Sequence, residues 1–197
     1  MNNDTLAEFF LFFSNFPFII TLVLIGLTFR YRLFYSLACL TLFSITMNVA
    51  LKNVFHIPLN PTLTGFAFPS GHMQLSTVLY GWLAWQINNR LLRIIIGFLL
   101  SGIALGLIHF GYHNLTDVLG GVAFAAIIMA GYALLLAQRP LWLFCAASIA
   151  TTYNAVCYAH IPQHALIAYW LLLIFLAIPV VKLQKSNSAL SRVGFVD

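Results

Sequence analysis

Charge is what this sequence has least of. Of its 197 residues 7% are charged, nine Lys and Arg against four Asp and Glu, while 62% are hydrophobic. Soluble domains carry about 25% charged residues, so there is too little charge here to cover a soluble surface. The aromatic share of 15% excludes the opposite case, because an unfolded chain is far less apolar. Cysteine is scarce too. Cys39, Cys145 and Cys157 are odd in number and lie in apolar stretches, which reads as three small core residues and not a disulfide framework. The opening MNNDTLAEFF has no base before its apolar run, so that run is expected to be an uncleaved first span, not a signal peptide. Internal repeats and low-complexity segments are missing as well. A multi-pass membrane protein is what remains.

Apolar runs fall at roughly 9–29, 33–55, 70–87, 91–110, 115–137, 141–159 and 164–182, and a spanning helix needs about 20 residues. The expected fold is all-α, a polytopic membrane helical bundle of about seven transmembrane helices, with six as the alternative. Residues 1–197 then form a single membrane-embedded domain. If the runs alternate across the bilayer, Arg30, Arg32, Arg90, Arg93, Arg139, Lys182, Lys185 and Arg192 share one side, which the positive-inside rule makes cytoplasmic. The N-terminus with Asp4 and Glu8 lies outside and the C-terminus inside. Lys52 is the exception among the bases. His56, His72, His109, His113, His160 and His164 all fall at outer ends or in outer loops, so the outer face is the one expected to do polar chemistry. The basic pI of about 9.3 follows from this topology and does not call for nucleic acid.

Three polar clusters converge on that face: Lys52 with the loop after it, Pro69-Ser70-Gly71-His72, and the stretch from His109 through His113 to Asp117. Each has a plain structural reading. Lys52 can snorkel from a helix end, Ser70 can cap the third span, and Asp117 can complement a helix dipole. Together they read differently. Ser70 and Gly71 at a helix start offer a hydroxyl and backbone N–H groups to an anion, and Lys52 adds positive charge. His113 and Asp117 are four apart, so the carboxylate can hold one ring nitrogen and leave the other as nucleophile or base. His72 can protonate a leaving oxygen. This set suits phosphoryl transfer through a phosphohistidine.

With these residues the sequence resembles the type 2 phosphatidic acid phosphatase superfamily of membrane lipid phosphatases. Its signature is a Lys with a downstream Arg-Pro, then Pro-Ser-Gly-His, then Ser-Arg followed by His-x-x-x-Asp. Pro69-Ser70-Gly71-His72 and His113-Asn-Leu-Thr-Asp117 match, and Lys52 fits the first part; the motif region is 52–117. The resemblance implies that His113 attacks phosphorus and Asp117 orients it. It further implies that His72 serves the leaving group and then water, and that Lys52, Ser70 and Gly71 bind phosphate. No cofactor and no metal would be needed. The substrate would be a phosphoester or pyrophosphate of a lipid in the outer leaflet, and the setting a bacterial inner membrane with the site facing the periplasm or exterior.

The chain departs from the signature at both arginines. Leu59-Asn60, or Asn60-Pro61 with one residue inserted, stands where Arg-Pro is expected, and Gly106-Leu107 stands for Ser-Arg. Each lost transition-state donor is worth about 3–4 kcal/mol. His56, His109 and Asn60 are the candidates to compensate, His109 because it lies four before His113. Three rivals stand beside the enzyme: a metal site of His109, His113 and Asp117 at helical spacing, a haem protein using histidine pairs, and a non-catalytic phospholipid-binding or transport homologue. Small residues on the fourth and fifth runs (Gly97, Ser101, Gly102, Gly106; Gly120, Gly121, Ala123, Ala125, Ala126) are expected to pack those two spans tightly on each other. The oligomeric state is not legible.

Overall fold

Long runs of Leu, Ile, Phe and Ala with few breakers make helices, and the computed structural model is helical throughout. It describes residues 2–59, 65–87, 89–136, 140–157, 163 and 166–174. The helices are α1 (Asn3–Phe12), α2 (Phe16–Phe29), α3 (Tyr31–Phe55), α4 (Gly71–Gln86), α5 (Arg90–His109), α6 (Leu115–Gly131) and α7 (Pro140–Cys157). A π-helical turn, Tyr132–Leu136, continues α6. The sole β-type pairing among the described residues is an isolated bridge between Pro58 and Phe66.

Among the described residues three helical stretches are long and apolar enough to cross a membrane: Leu33–Phe55, Arg90–His109 and Leu115–Leu134. The pair α1 and α2, bent by 43°, would make a fourth. The first apolar run is therefore broken at residues 13–15, and the break is stitched. The Ser14 hydroxyl donates to the Leu11 carbonyl at 2.8 Å, and the Tyr80 hydroxyl on α4 donates to the Phe13 carbonyl at 2.7 Å. In an apolar surrounding a carbonyl freed by a helix break must find a donor, and here two side chains supply one. Pro17 then sits in the first turn of α2, where a missing N–H costs nothing.

The glycine-rich faces pack differently from the sequence expectation. Gly102 and Gly106 on α5 receive α1, with the Phe10 ring lying over Gly102 and the Ala7 carbonyl 3.2 Å from where a Cβ on Gly106 would sit. Gly120 and Gly121 on α6 receive the Phe68 ring and the start of α4; a Cβ on Gly121 would lie 2.8 Å from the Ser70 carbonyl oxygen. The small residues thus tie α5 to α1 and α6 to α4, while α5 and α6 touch each other little. The spacing alone could not say which partner each small face would meet.

Alternation along the chain gathers the end of α3, the start of α4, the end of α5 and the start of α6 at one end of the bundle. Arg30, Arg90 and Arg93 lie at the other, at the starts of α3 and α5.

Candidate active site

The turn between α5 and α6 places the central histidine. Gly111 has φ +66, the left-handed conformation that glycine takes without strain. Around it the Tyr112 N–H reaches the Leu107 carbonyl at 3.1 Å and the Gly111 N–H reaches Ile108 at 3.0 Å. These are the two bonds of a Schellman motif. The chain is thrown back over the end of α5, and the His113 N–H also points at the Leu107 carbonyl, at 3.3 Å. One residue later Asn114 caps α6.

His113 and Asp117 therefore meet across a helix start and not along one helix. Imidazole Nδ1 lies 3.6 Å from Asp117 Oδ2, and both residues are buried, at 9% and 3% exposure. Asp117 Oδ2 is held by the Asn114 N–H at 3.0 Å. The buried Nδ1 has no hydrogen-bond partner within range among the described residues, so Asp117 faces it at slightly more than bonding distance. Catalytic hydrogen bonds of this kind are often long before substrate arrives. Burial, and then the positive charge of Lys52, hold the His113 imidazole below the usual histidine value, against the opposing pull of Asp117. The ring is neutral at pH 7 and able to act as a nucleophile.

A cavity of about 190 Å³ opens beside this pair, lined by Pro58, Leu59, Ala67, Gly111, Tyr112, His113, Asn114 and Asp117. Lys52 comes from the last turn of α3; its Nζ donates to the Phe66 carbonyl at 2.7 Å and lies within electrostatic reach of Asp117 and His113. His72, at the second position of α4, is exposed and also within electrostatic reach of His113.

Ser70 is the N-cap of α4, its hydroxyl accepting from the Met73 N–H at 3.4 Å. It is fully buried, and its own N–H donates to the Asp117 carbonyl at 3.0 Å. The serine thus locks the start of α4 to the start of α6, while Gly71 opens the helix and stays half-buried.

The candidates for compensation fare differently. His109 is the last residue of α5, and its Nε2 pairs with Asp4 Oδ1 on α1 at 2.7 Å. The Schellman turn resets the register, so the four-residue spacing does not aim His109 where His113 points. His109, His113 and Asp117, the residues of the metal reading, are not gathered as one ligand set among the described residues, His109 being paired with Asp4. His56 closes α3 with φ 52, exposed and edge-on to the Phe66 ring, outside the lining of the cavity. Asn60, His160 and His164 lie outside the described residues.

Residue-by-residue reading missed the buried seam beneath the site. The Asn48 amide donates to Gln74 Oε1 at 2.9 Å and to the Pro69 carbonyl at 3.4 Å. The Gln74 amide donates to the Ser44 carbonyl and hydroxyl, both at 3.1 Å. Gly71 fits because a Cβ there would come within 3.0 Å of Asn48 Oδ1. The signal was present as two amides inside apolar runs, where an unpaired polar group is costly.

No curated protein and no solved structure matches the chain. A family model does, over residues 32–140, a stretch that contains Lys52, the Pro69–His72 turn, His113 and Asp117. It is the model of the PAP2 superfamily, and with more than half of its length matched the chain belongs to that superfamily.

Proposed function

We propose that the chain is an integral membrane lipid-phosphate phosphatase or phosphotransferase working through a phosphohistidine on His113. Membership of the superfamily supports phosphatase-type chemistry. The observation that carries the finer reading is the buried His113–Asp117 pair at the wall of a cavity. With Nδ1 facing the carboxylate, Nε2 is the nitrogen that attacks phosphorus. Asp117 then stabilises the imidazolium. His72 gives its proton to the leaving oxygen and afterwards takes one from the acceptor, water or an alcohol. Lys52 keeps N–H groups to spare beyond its bond to Phe66 and draws phosphoryl oxygens towards it, joined by the N–H groups of the first turn of α4. No step calls for a metal ion. The bundle has about seven spans in this reading, with the arginine-bearing end cytoplasmic and the site at the outer leaflet of an inner membrane.

The test is a panel of lipid monophosphates, diphosphates and phosphodiesters offered to the purified protein in detergent, with His113→Ala beside it. Loss of at least one lipid, absent in the variant, is expected. If no lipid is consumed, the reading fails. The scarcity of cations around the site favours one alternative, a non-catalytic lipid-binding homologue; equal lipid binding by both proteins without turnover is its signature.

A further inference from the structure

Between Lys52 and Arg90, and again between Arg93 and Asp117, the sequence contains no Lys, Arg, Asp or Glu. These two stretches supply the connection from α3 to α4, all of α4, most of α5 and the turn that carries His113. The fixed charges they leave at the site are those at their borders, Lys52 and Asp117, one of each sign and in mutual electrostatic reach. Arg90 and Arg93 open α5 at the far end of its 20 residues, roughly 30 Å away, and Arg30 precedes the 25 residues of α3. Asp4 is engaged with His109. Among the described residues the other titratable group in electrostatic reach of His113 is His72 from α4, and Tyr112 lines the same cavity. Among the described residues that line it, the cavity wall carries one fixed charge, the carboxylate of Asp117.

A phosphomonoester at neutral pH is a dianion, since its second pKa is near 6. One of its charges meets Lys52. The second lies beside Asp117 in a half-enclosed space, where like charges repel far more strongly than in water. We propose that the phosphoryl group accepted here carries a single negative charge, as in a phosphodiester or a monoester in its monoanionic form. This rests on reading the site as one for phosphoryl transfer.

With a diester the step balances as follows. Nε2 of His113 forms a bond to phosphorus as the bond from phosphorus to the leaving oxygen breaks. That oxygen takes the proton from His72. The phosphoryl group, still esterified on its other oxygen, rides on His113 opposite Asp117. An acceptor hydroxyl then forms the new P–O bond and gives its proton to His72, and the N–P bond breaks.

The test compares a dialkylglycerol phosphate with its methyl diester, on the full chain in detergent, from pH 6 to pH 8. The diester serves as substrate, or as competitive inhibitor, to report the pH response of the protein itself. At pH 8 kcat/KM for the diester is expected to exceed that for the monoester about a hundredfold. Relative to the diester, the monoester should gain on the order of tenfold per unit of acidity above its second pKa. Turnover of the diester identifies the diester source. Acid-favoured turnover of the monoester alone, with the diester inhibiting, identifies the monoanionic monoester. Leu59→Arg adds a cation to the cavity wall, where Leu59 already lies half-exposed, and should lift the monoester at pH 8 by tenfold or more. A monoester rate equal to or above that of the diester at pH 8, with a ratio flat in pH, overturns the proposal while phosphoryl transfer stands. If neither compound is turned over and neither inhibits turnover of a lipid diphosphate, this inference falls; if no diphosphate is turned over either, phosphoryl transfer falls with it.

Discussion

His113 works, in this reading, because it is buried next to a lysine. A histidine held neutral well below its usual value stays a nucleophile in mildly acidic solution. The acid limb of kcat/KM, which reports the free enzyme, is therefore expected below the ordinary histidine value of about 6.5. Lys52→Gln removes one of the two causes that depress it. The limb should then move up towards 6.5, and kcat/KM on the plateau should fall by about 10²–10³, as for other lost transition-state donors. A limb that stays in place while the rate falls would mean that Lys52 binds phosphate without tuning His113. The His-x-x-x-Asp spacing was enough to foresee this pair. It was not enough for His109, because Gly111 reverses the chain between the two histidines, whereas Asn114 starts α6 directly after His113 and leaves it facing the first turn. His56 was likewise assigned by nearness in sequence, while its left-handed backbone turns it to the Phe66 ring.

At the scale of elements, the contact of α6 on α4 sets the site. The Ser70 carbonyl approaches Gly121 while the Ser70 N–H holds the Asp117 carbonyl, so a side chain at 121 would prise apart the two helix starts that carry His72 and Asp117. Gly121→Ala is expected to cost about 1–3 kcal/mol by overpacking and to lower kcat. Gly97→Ala on α5 meets nothing within 4 Å and should leave kcat alone and stability unchanged or slightly higher. Thermal unfolding in detergent beside the turnover assay reads both. A second pair separates the two polar seams of α3. Asn48→Ala strips a donor from Gln74 and from the Pro69 carbonyl and should reduce kcat as well as melting temperature. Asn154→Ala breaks the 2.8 Å bond from Asn53 to α7 and should reduce the melting temperature with kcat kept, each seam being worth about 0.6–2 kcal/mol. The boundaries of α3 to α6 were legible from apolar runs and their breakers. The break at residues 13–15 was not, because the phenylalanines around it keep the run apolar. Ser14, Asn15 and Pro17 were the cue.

At the scale of the molecule, the sparse charges divide by end. Among the described residues, the bundle end that bears His72, His113 and Asp117 holds one lysine, and the arginines sit at the other end. In the reading we propose, the positive-inside rule draws the arginines to the cytoplasm and leaves the cavity outside. Two positions report it. Tyr112 lines the cavity and is 46% exposed, and Gln86 is exposed at the last turn of α4, at the arginine end. In a background where Cys39, Cys145 and Cys157 are replaced by serine, Tyr112→Cys should react with a membrane-impermeant maleimide on intact cells. Gln86→Cys should react only after the membrane is opened. Labelling of Gln86→Cys alone on intact cells would turn the chain over and move the substrate to the cytoplasmic leaflet. Labelling of both on intact cells would mean that α4, whose 16 residues span about 24 Å against a hydrocarbon core of about 30 Å, does not cross the bilayer. The short α4 is the one helix of the site for which crossing is a matter of reach, so the orientation and the depth of the cavity are decided by the same two cysteines.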